Sequence, residues 1–556
     1  MTVFRLSLLA ASFAAAFPAS YSLAQQAPDA GQTLQQQQQV PQLPRTGPAI
    51  NIQPPATATV APGGAEVALS SVSVAGASVF SEADLLAVLG DVTGQRYDLA
   101  GLRGLAERIS AHYRDNGYPF TRAYIPPQPI TDGKLRIDVV EGRFGQVQAL
   151  GDKALVAAAV GFLAPLKSSD VISSAPLERA TLILDDQPGI QVAPIIRPGQ
   201  ELGTGDLDVR VERTPDFSGD VGFDNHGNRY TGEHRLRANL QWDSPFSFGD
   251  QVTARVIYSD EDMWLGSVGY SLPLGSSGLR GNIGYAHTYY ELAKDFANLQ
   301  ATGTAKVTTL GITYPIIRSQ RANLTLAATY QHKRLNDKQQ VAGTNDDKSG
   351  DSVPIALNFD RRDGLWGGGI TYGSLSYTAG RLKLGSVLEA ADRASGQNTR
   401  GSFDKWNLDI ARVQATPVAG LTLFGRLSSQ WAGKNLDSSE SFSLGGANGV
   451  RPYPSGEGNG DEGWLVQLEI RYAMGPYSPY FFHDSGRVKL NANPDGLAVA
   501  PNPNHRSIGG EGLGLRYTRG SWHLDATLAW RSHGGSPVSD GADRNPRVWV
   551  MAGYKF

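Results

Sequence analysis

Beyond residue 215 the chain keeps a two-residue rhythm. Leu236, Ala238, Leu240 and Trp242 share one face, and Arg235, Arg237, Asn239 and Gln241 share the other. Trp464, Val466, Leu468, Ile470 and Tyr472 oppose Gln467, Glu469 and Arg471. Trp522, Leu524, Ala526, Leu528 and Trp530 oppose His523, Asp525 and Thr527. This is the pattern of strands with one apolar and one polar face. About sixteen such segments recur, an even number of the kind that single-chain bacterial barrels use. The first begins near 217, the eighth near 350 and the last near 545. Connections alternate between short (245–249, 275–278) and long (333–350, 382–402). A soluble sandwich would also alternate. The number of segments and the aromatics near their ends favour a membrane barrel over 215–556. So does the scarcity of charge at mid-height on the apolar face, where each charge would cost about 2–4 kcal/mol.

Upstream the rhythm becomes helical. In 67–142 a short strand at Val72–Val74 precedes a helix capped by Ser81, with Asp84 three residues on. Asp98 caps a second helix whose positions Leu99, Leu102, Leu105, Ile109 and Tyr113 follow helical spacing, and Gly117 ends it. Strands at 120–125 and 134–140 are joined through an Asp132-Gly133 turn. Residues 143–214 repeat the order: strand 145–150, helices 155–162 and 176–185, strands 190–196 and 206–212. Two small mixed sheets of about seventy residues each are expected, with edges open to an added strand. Before them, Gln32–Gln39 suits a short polar helix and 41–66 an extended Pro-rich linker. On composition alone, residues 25–66 read as a disordered leader.

Arg5, the apolar stretch 6–17 and Ser22-Leu23-Ala24 read as an export signal over 1–24. No later run of about eighteen apolar residues occurs, so no transmembrane helix is expected. Net charge is −3, which gives no basic bias towards nucleic acid. Cysteine is absent, as suits an oxidising compartment, and 65 glycines with 9% aromatics and 19% charged residues favour strands and turns.

Within the barrel, Val450-Arg451-Pro452-Tyr453 sits in a Gly-rich segment far longer than an ordinary hairpin loop. Phe481-Phe482-His483-Asp484-Ser485-Gly486 follows, a strand end with one acid. Gly509, Gly510, Gly512 and Gly514 precede no strand-to-helix turn; they suit close approach of loop to wall rather than a nucleotide fingerprint. There is no GxxxxGK[ST], GxSxG or HExxH, so the chain is not expected to be an enzyme and no catalytic, cofactor-binding or metal-ligating residue is assigned.

In chain order, several stretches resemble the two-partner secretion (TpsB-type) transporters, exporters of haemolysins and filamentous haemagglutinins within the POTRA-barrel superfamily. They are Tyr113-Arg114-Asp115-Asn116-Gly117-Tyr118, Ala123-Tyr124-Ile125-Pro126, Val140-Glu141-Gly142, the loop and strand motifs above, the run 510–516 and terminal Phe556. The resemblance implies a plug helix over 25–40, a linker over 41–66, POTRA domains over 67–142 and 143–214, and a sixteen-stranded barrel with an inward loop over 433–462. It implies that Arg451, at the tip of that loop between strands eleven and twelve, pairs with Asp484 on the wall of strand thirteen. It makes Phe556 the closing signal. The implied partner is a large secreted protein bound through its N-terminal secretion domain and exported to the cell surface without ATP. Outer-membrane lipid and the barrel assembly machinery are further partners. No cofactor and no nucleic acid are implied. One departure matters: the family carries Gly where this chain has Pro452, and proline cannot take the turn that glycine allows. The runners-up are an assembly factor of the same superfamily and a diffusion porin.

Purified protein is expected to require detergent and to give a strand-dominated circular dichroism spectrum. Solubility without detergent, or a helix-dominated spectrum, would overturn the barrel reading.

Overall fold

The computed structural model describes residues 27–37, 43–44, 47, 51–52, 63–201 and 203–556. The expected export signal at 1–24 and most of the expected linker lie outside the described residues.

Residues 67–142 form a three-stranded sheet in which Ser71–Ala75 runs parallel, and Arg122–Tyr124 antiparallel, to Lys134–Val140. Ser81 and Asp84 make a reciprocal capping box for the helix Glu82–Leu89. Asp98 accepts a hydrogen bond from the Gly101 amide and starts the helix Leu99–Asp115. Leu102, Leu105, Ile109 and Tyr113 bury one face of that helix, whereas Leu99, in its first turn, is 48% exposed. Positive φ at Asp132 (59°) and Gly133 (70°) closes the turn before the central strand.

Glu141 knits this unit. Its carboxylate accepts from the amides of Ser78 (2.7 Å) and Val79 (2.8 Å) and from the Tyr113 hydroxyl (3.0 Å), with Arg143 3.1 Å away. Tyr113 and Glu141, taken from two separate sequence motifs, are therefore one contact.

Residues 143–213 repeat the plan with strands Arg143–Gly151, Ile190–Pro198 and Thr204–Arg213 and helices Lys153–Leu163 and Ser174–Asp185. Asn51–Ile52 adds a fourth strand, parallel to Ile190–Pro198 at Ile195 and Ile196. Part of the linker thus occupies an edge of this sheet.

The remainder is a closed barrel of sixteen strands, every neighbouring pair antiparallel. Strand one, Phe217–Asp224, pairs with strand sixteen, Arg547–Lys555, and the backbones of Gly219 and Phe556 exchange hydrogen bonds of 3.1 and 3.0 Å beyond its end. Closure leaves no open edge, as lipid requires. The apolar positions of the alternation point outward; Leu236, Leu310 and Leu513 are more than half exposed on the outer wall. Among the described residues no helix is long and apolar enough to cross a membrane. His483 and Glu511 depart from this apolar character: they point outward from neighbouring strands with a 3.7 Å Nδ1–Oε2 separation.

The second small unit abuts the short turns at one end of the barrel. Arg318 makes a two-pronged pair with Asp186 (2.7 Å each), Arg280 donates to Gln187 (2.9 Å), and Arg179 donates to Tyr314 (3.2 Å).

Two expected long loops are corrected. Residues 333–350 are mostly strand: Ala322–Gln339 and Thr344–Asp363 continue pairing and leave only 340–343 as a turn. In 382–402, Gly369–Leu384 extends into the interval and a helix, Ser386–Ser395, fills it. These strands outrun the hydrocarbon layer, so both faces meet polar surroundings and the apolar half of the alternation disappears while backbone pairing continues.

Burial pushes the Glu141 carboxyl up, but the hydrogen bonds from Ser78, Val79 and Tyr113 outweigh it and hold it below the ordinary glutamate value. A depressed carboxyl contributes stability that is present above its unfolded pKa and lost as pH falls through the folded one. Hydrogen-exchange protection of the Ser78 and Val79 amides should therefore drop on acidification from about pH 5 to about pH 3. In Glu141→Gln protection should be pH-independent there and lower at neutral pH by about 1–3 kcal/mol.

Candidate functional site

The interior of the barrel is occupied by two elements. The first is the connection between strand eleven, Leu421–Ala432, and strand twelve, Glu462–Tyr472. It folds back into the lumen as a hairpin, Phe442–Ser443 against Asn459–Gly460. The loop is held in shape by its own backbone: Leu444 accepts from the Val450 amide (2.7 Å), and Val450 accepts from the Tyr453 amide (3.0 Å).

Arg451 stands at the tip of this loop. Its Nε and Nη2 each lie 2.7 Å from an oxygen of Asp484, on strand thirteen, Tyr477–Lys489. Its backbone amide donates to Asp484 at 3.1 Å and its Nη1 to Glu469 at 2.6 Å. The guanidinium lies 3.6 Å from the centre of the Phe482 ring, and the Arg451 carbonyl accepts from the Trp549 indole at 2.7 Å. Arg451 and Asp484 are 4% and 0% exposed. A planar fork with five donors suits this bidentate, ring-stacked seat, where lysine would not.

The cluster is larger than the pair. Glu469 also receives Arg471 (2.7 Å) and Arg516 (3.1 Å), and Arg516 reaches Asp525 (2.9 Å). Arg451, Arg471 and Arg516 are thus matched by Asp484, Glu469 and Asp525. The glycine run provides the room. A Cβ on Gly510 would stand 2.5 Å from Cγ of Pro452, and one on Gly512 would meet the Phe482 ring. Pro452 at the tip is accommodated because the wall opposite has no side chain. Val450 and Tyr453 are fully buried, and the Tyr453 hydroxyl donates towards the carbonyls of His533 (2.7 Å) and Gly535 (2.9 Å).

The second element is the helix Ala30–Gln35, which begins two residues before, and ends four before, the expected Gln32–Gln39. Asp29 caps it through the Gln32 amide (2.8 Å) and binds Ser438 of the loop (2.6 Å) and Lys348 of the wall (3.1 Å). The Ala30 amide donates to Asp337 (2.9 Å). Gly31 lies so close to the loop that a Cβ there would stand 2.5 Å from the Ser439 nitrogen. The root of the loop is tied by Lys333–Glu440 (2.6 Å), Lys405–Glu440 (2.9 Å) and Lys348–Asp437 (2.8 Å). Beside these elements a water-accessible cavity of about 590 Å³ remains, lined by Gln36, Asn407, Asp409 and Arg426 among others.

The family resemblance implies the pairing of Arg451 with Asp484 but not the roles of Glu469, of the Phe482 ring or of the Asp29–Lys348–Asp437 group. Glu469 carried a signal: it sits on the polar face of its strand, two residues from Arg471. The lumen lysines did not, because their partners are far away in the chain.

Residues 203–517 match the family described as haemolysin secretion/activation protein ShlB/FhaC/HecB, and 67–142 match the POTRA domain of ShlB type. Similar curated proteins include the heme/hemopexin transporter protein HuxB of Haemophilus influenzae, 27% identical over 458 residues and covering 80% of each chain. The outer membrane transporter CdiB of Dickeya dadantii is 24% identical over 496 residues, covering 86% of this chain and 84% of that one. Among solved structures, CdiB from Escherichia coli shares the fold, with TM-score 0.71 at 20% identity, covering 92% of this chain and 94% of that one.

Breaking one partner of a buried pair costs about 3–5 kcal/mol, less where water reaches the orphan. Asp484→Ala should therefore expose residues 433–461 to limited proteolysis while the barrel stays folded by heat-modifiability on gels. A double-mutant cycle with Arg451→Ala, read in thermal unfolding, should show coupling of at least about 1 kcal/mol.

Proposed function

The chain belongs to the haemolysin secretion/activation family of ShlB, FhaC and HecB type, and we propose that its lumen loop and plug helix form a displaceable gate for one large secreted partner. As a member of that family it is an outer-membrane β-barrel transporter of two-partner secretion, with its POTRA region in the periplasm. The observation that carries the gate is a barrel interior filled by two elements, each held mainly by side-chain polar pairs rather than by backbone pairing with the wall. Such pairs can be exchanged for water or for a passing chain without disturbing a single barrel strand. A diffusion porin has no use for such an arrangement.

The partner docks in extended form along the sheet edges of the two periplasmic units, the second of which acts as a POTRA domain of its own. Strand addition supplies affinity through backbone hydrogen bonds. In the second unit the outer edge of Ile190–Pro198 already carries Asn51–Ile52. A cargo strand seated there displaces the linker, and the linker is continuous with the plug helix. Docking in the periplasm and unplugging of the lumen are thereby one event. Translocation then runs without ATP or any catalytic step. The partner passes unfolded, and its folding outside biases the motion, because a folded chain cannot slide back.

Removal of residues 67–142 should abolish secretion of the partner while the barrel still inserts; continued secretion would refute docking on that unit. In planar bilayers, Gly31→Leu, which cannot fit beside Ser439, and deletion of residues 25–37 should both raise the open fraction of the pore. Equal conductance for intact and deleted chains would overturn the plug role.

A further inference from the structure

The outer surface of the tall wall carries a charge pattern that export does not use. On strands six to nine the outward positions are apolar as far as Leu310, Tyr330, Val353 and Ala379. Further from the periplasmic end the outward positions change character. Lys306, Arg334, Ser349 and Lys383 stand side by side in one cross-strand row, and Arg381 stands one outward position nearer the apolar band. Lys306 and Arg334 are direct register partners. Like charges placed directly opposite destabilise a strand pair.

Relief from the chain itself is partial: Asp351 is the register partner of Arg381 and lies within electrostatic reach of Lys383. Lys306, Arg381 and Lys383 form no ion pair among the described residues, and Arg334 donates only to His332 Nε2 (3.1 Å). The nearby acids are otherwise engaged: Asp351 accepts from Tyr330 and His332, both at 2.7 Å, and Asp347 accepts from Asn336 at 2.6 Å. The inward cations of the same strands behave differently. Lys333 and Lys348 are both matched by acids of the loop and plug. Charge is matched on the inward side, whereas on the outward side Lys306, Arg334, Arg381 and Lys383 outnumber Asp347 and Asp351. An open groove of about 390 Å³ is lined by Lys306, Arg334 and Lys383, with Asn336 and Asp347 beside them.

We propose that this row binds the phosphate groups of the outer-leaflet glycolipid, with the acyl chains lying along the apolar strip beneath. Adjacent strands are about 4.8 Å apart. Lys306 and Arg334 can therefore grip one phosphate together, with Lys383 two strands away. The continuous apolar strip below favours a lipid headgroup over free phosphate, since a soluble anion gains nothing from it. The inference rests on the outer-membrane placement of the barrel and adds a ligand to it.

The test uses full-length protein in detergent and native mass spectrometry, with bisphosphorylated, monophosphorylated and dephosphorylated lipid A as probes. Retention by the unaltered protein should fall with each phosphate removed. K306Q/R334Q/K383Q should reduce retention of the bisphosphorylated form at least about tenfold, and K306R/K383R should restore it. Excess inorganic phosphate should not displace the lipid. Equal retention of all three lipids overturns the proposal, as does retention unchanged in the triple variant. Displacement by inorganic phosphate would make this a free-anion site and overturn the lipid assignment. If the triple variant does not fold, the lipid series on the unaltered protein decides alone. A barrel that inserts and secretes but ignores lipid phosphates sinks this inference only; one that fails to insert sinks the placement it rests on.

Discussion

In hydrocarbon no backbone amide or carbonyl can be left without a partner, and the rest of this structure follows from that constraint. A sheet meets it only by closing, here where Asp220 to Asp224 meet Lys555 to Met551. Once closed, the wall alternates: each strand gives every second side chain to lipid and the others to the interior. Sixteen strands enclose a space too wide for side chains alone to fill, so the lumen holds water, polar residues and whatever the chain folds into it. The gate we propose is then an electrostatic problem. The plug and loop must be held by groups that are stable in a wet, half-shielded space and can still be released.

The Arg451 cluster answers it with three guanidiniums and three carboxylates in contact. Arg451, Asp484 and Glu469 are desolvated, which would be costly alone, and are offset by one another and by the half-buried Arg471 and Arg516. The aromatic platform of Phe482 and the Trp549 indole fix the position of Arg451 beyond what charge alone would do. The glycines at 510 and 512 let this polar loop tip touch the wall rather than hang in the channel. In the proposed gate, release exposes these charges to water together, so the seated state holds until an incoming chain competes. The plug works on the same logic at lower density: Asp29 bridges Ser438 and Lys348, and Gly31 permits the contact.

Much of this was legible in the chain. Strand positions followed from alternation, because lipid outside and water inside write opposite characters on successive residues. Helix starts at Ser81 and Asp98 followed from capping chemistry. The Arg451–Asp484 contact was legible only through the family resemblance of the two motifs, since position in the chain alone does not choose between Asp484 and Glu469 as the partner. What escaped has a common cause. The extended halves of strands seven and eight read as loops, since above the hydrocarbon layer both faces meet polar surroundings and the period-two signal vanishes. The pairing of Asn51–Ile52 with the second unit escaped because backbone pairing at a sheet edge is insensitive to side-chain identity. Lys348 and Asp29 are separated by most of the chain, and no local pattern joins them.

The region where alternation fails is also the most informative. Above the lipid band the parity of the strands persists although the hydrophobic contrast does not. Lys333 and Lys348 point inward and are paired; Lys306 and Lys383 point outward and are not. A strand that merely reached into solvent would have no reason to sort its cations so sharply. Sorting by face means that the two sides meet different partners: inside, carboxylates that the chain brings with it; outside, anions that the membrane brings. The same wall that confines the gate can thereby anchor the barrel in its leaflet, one face for each task.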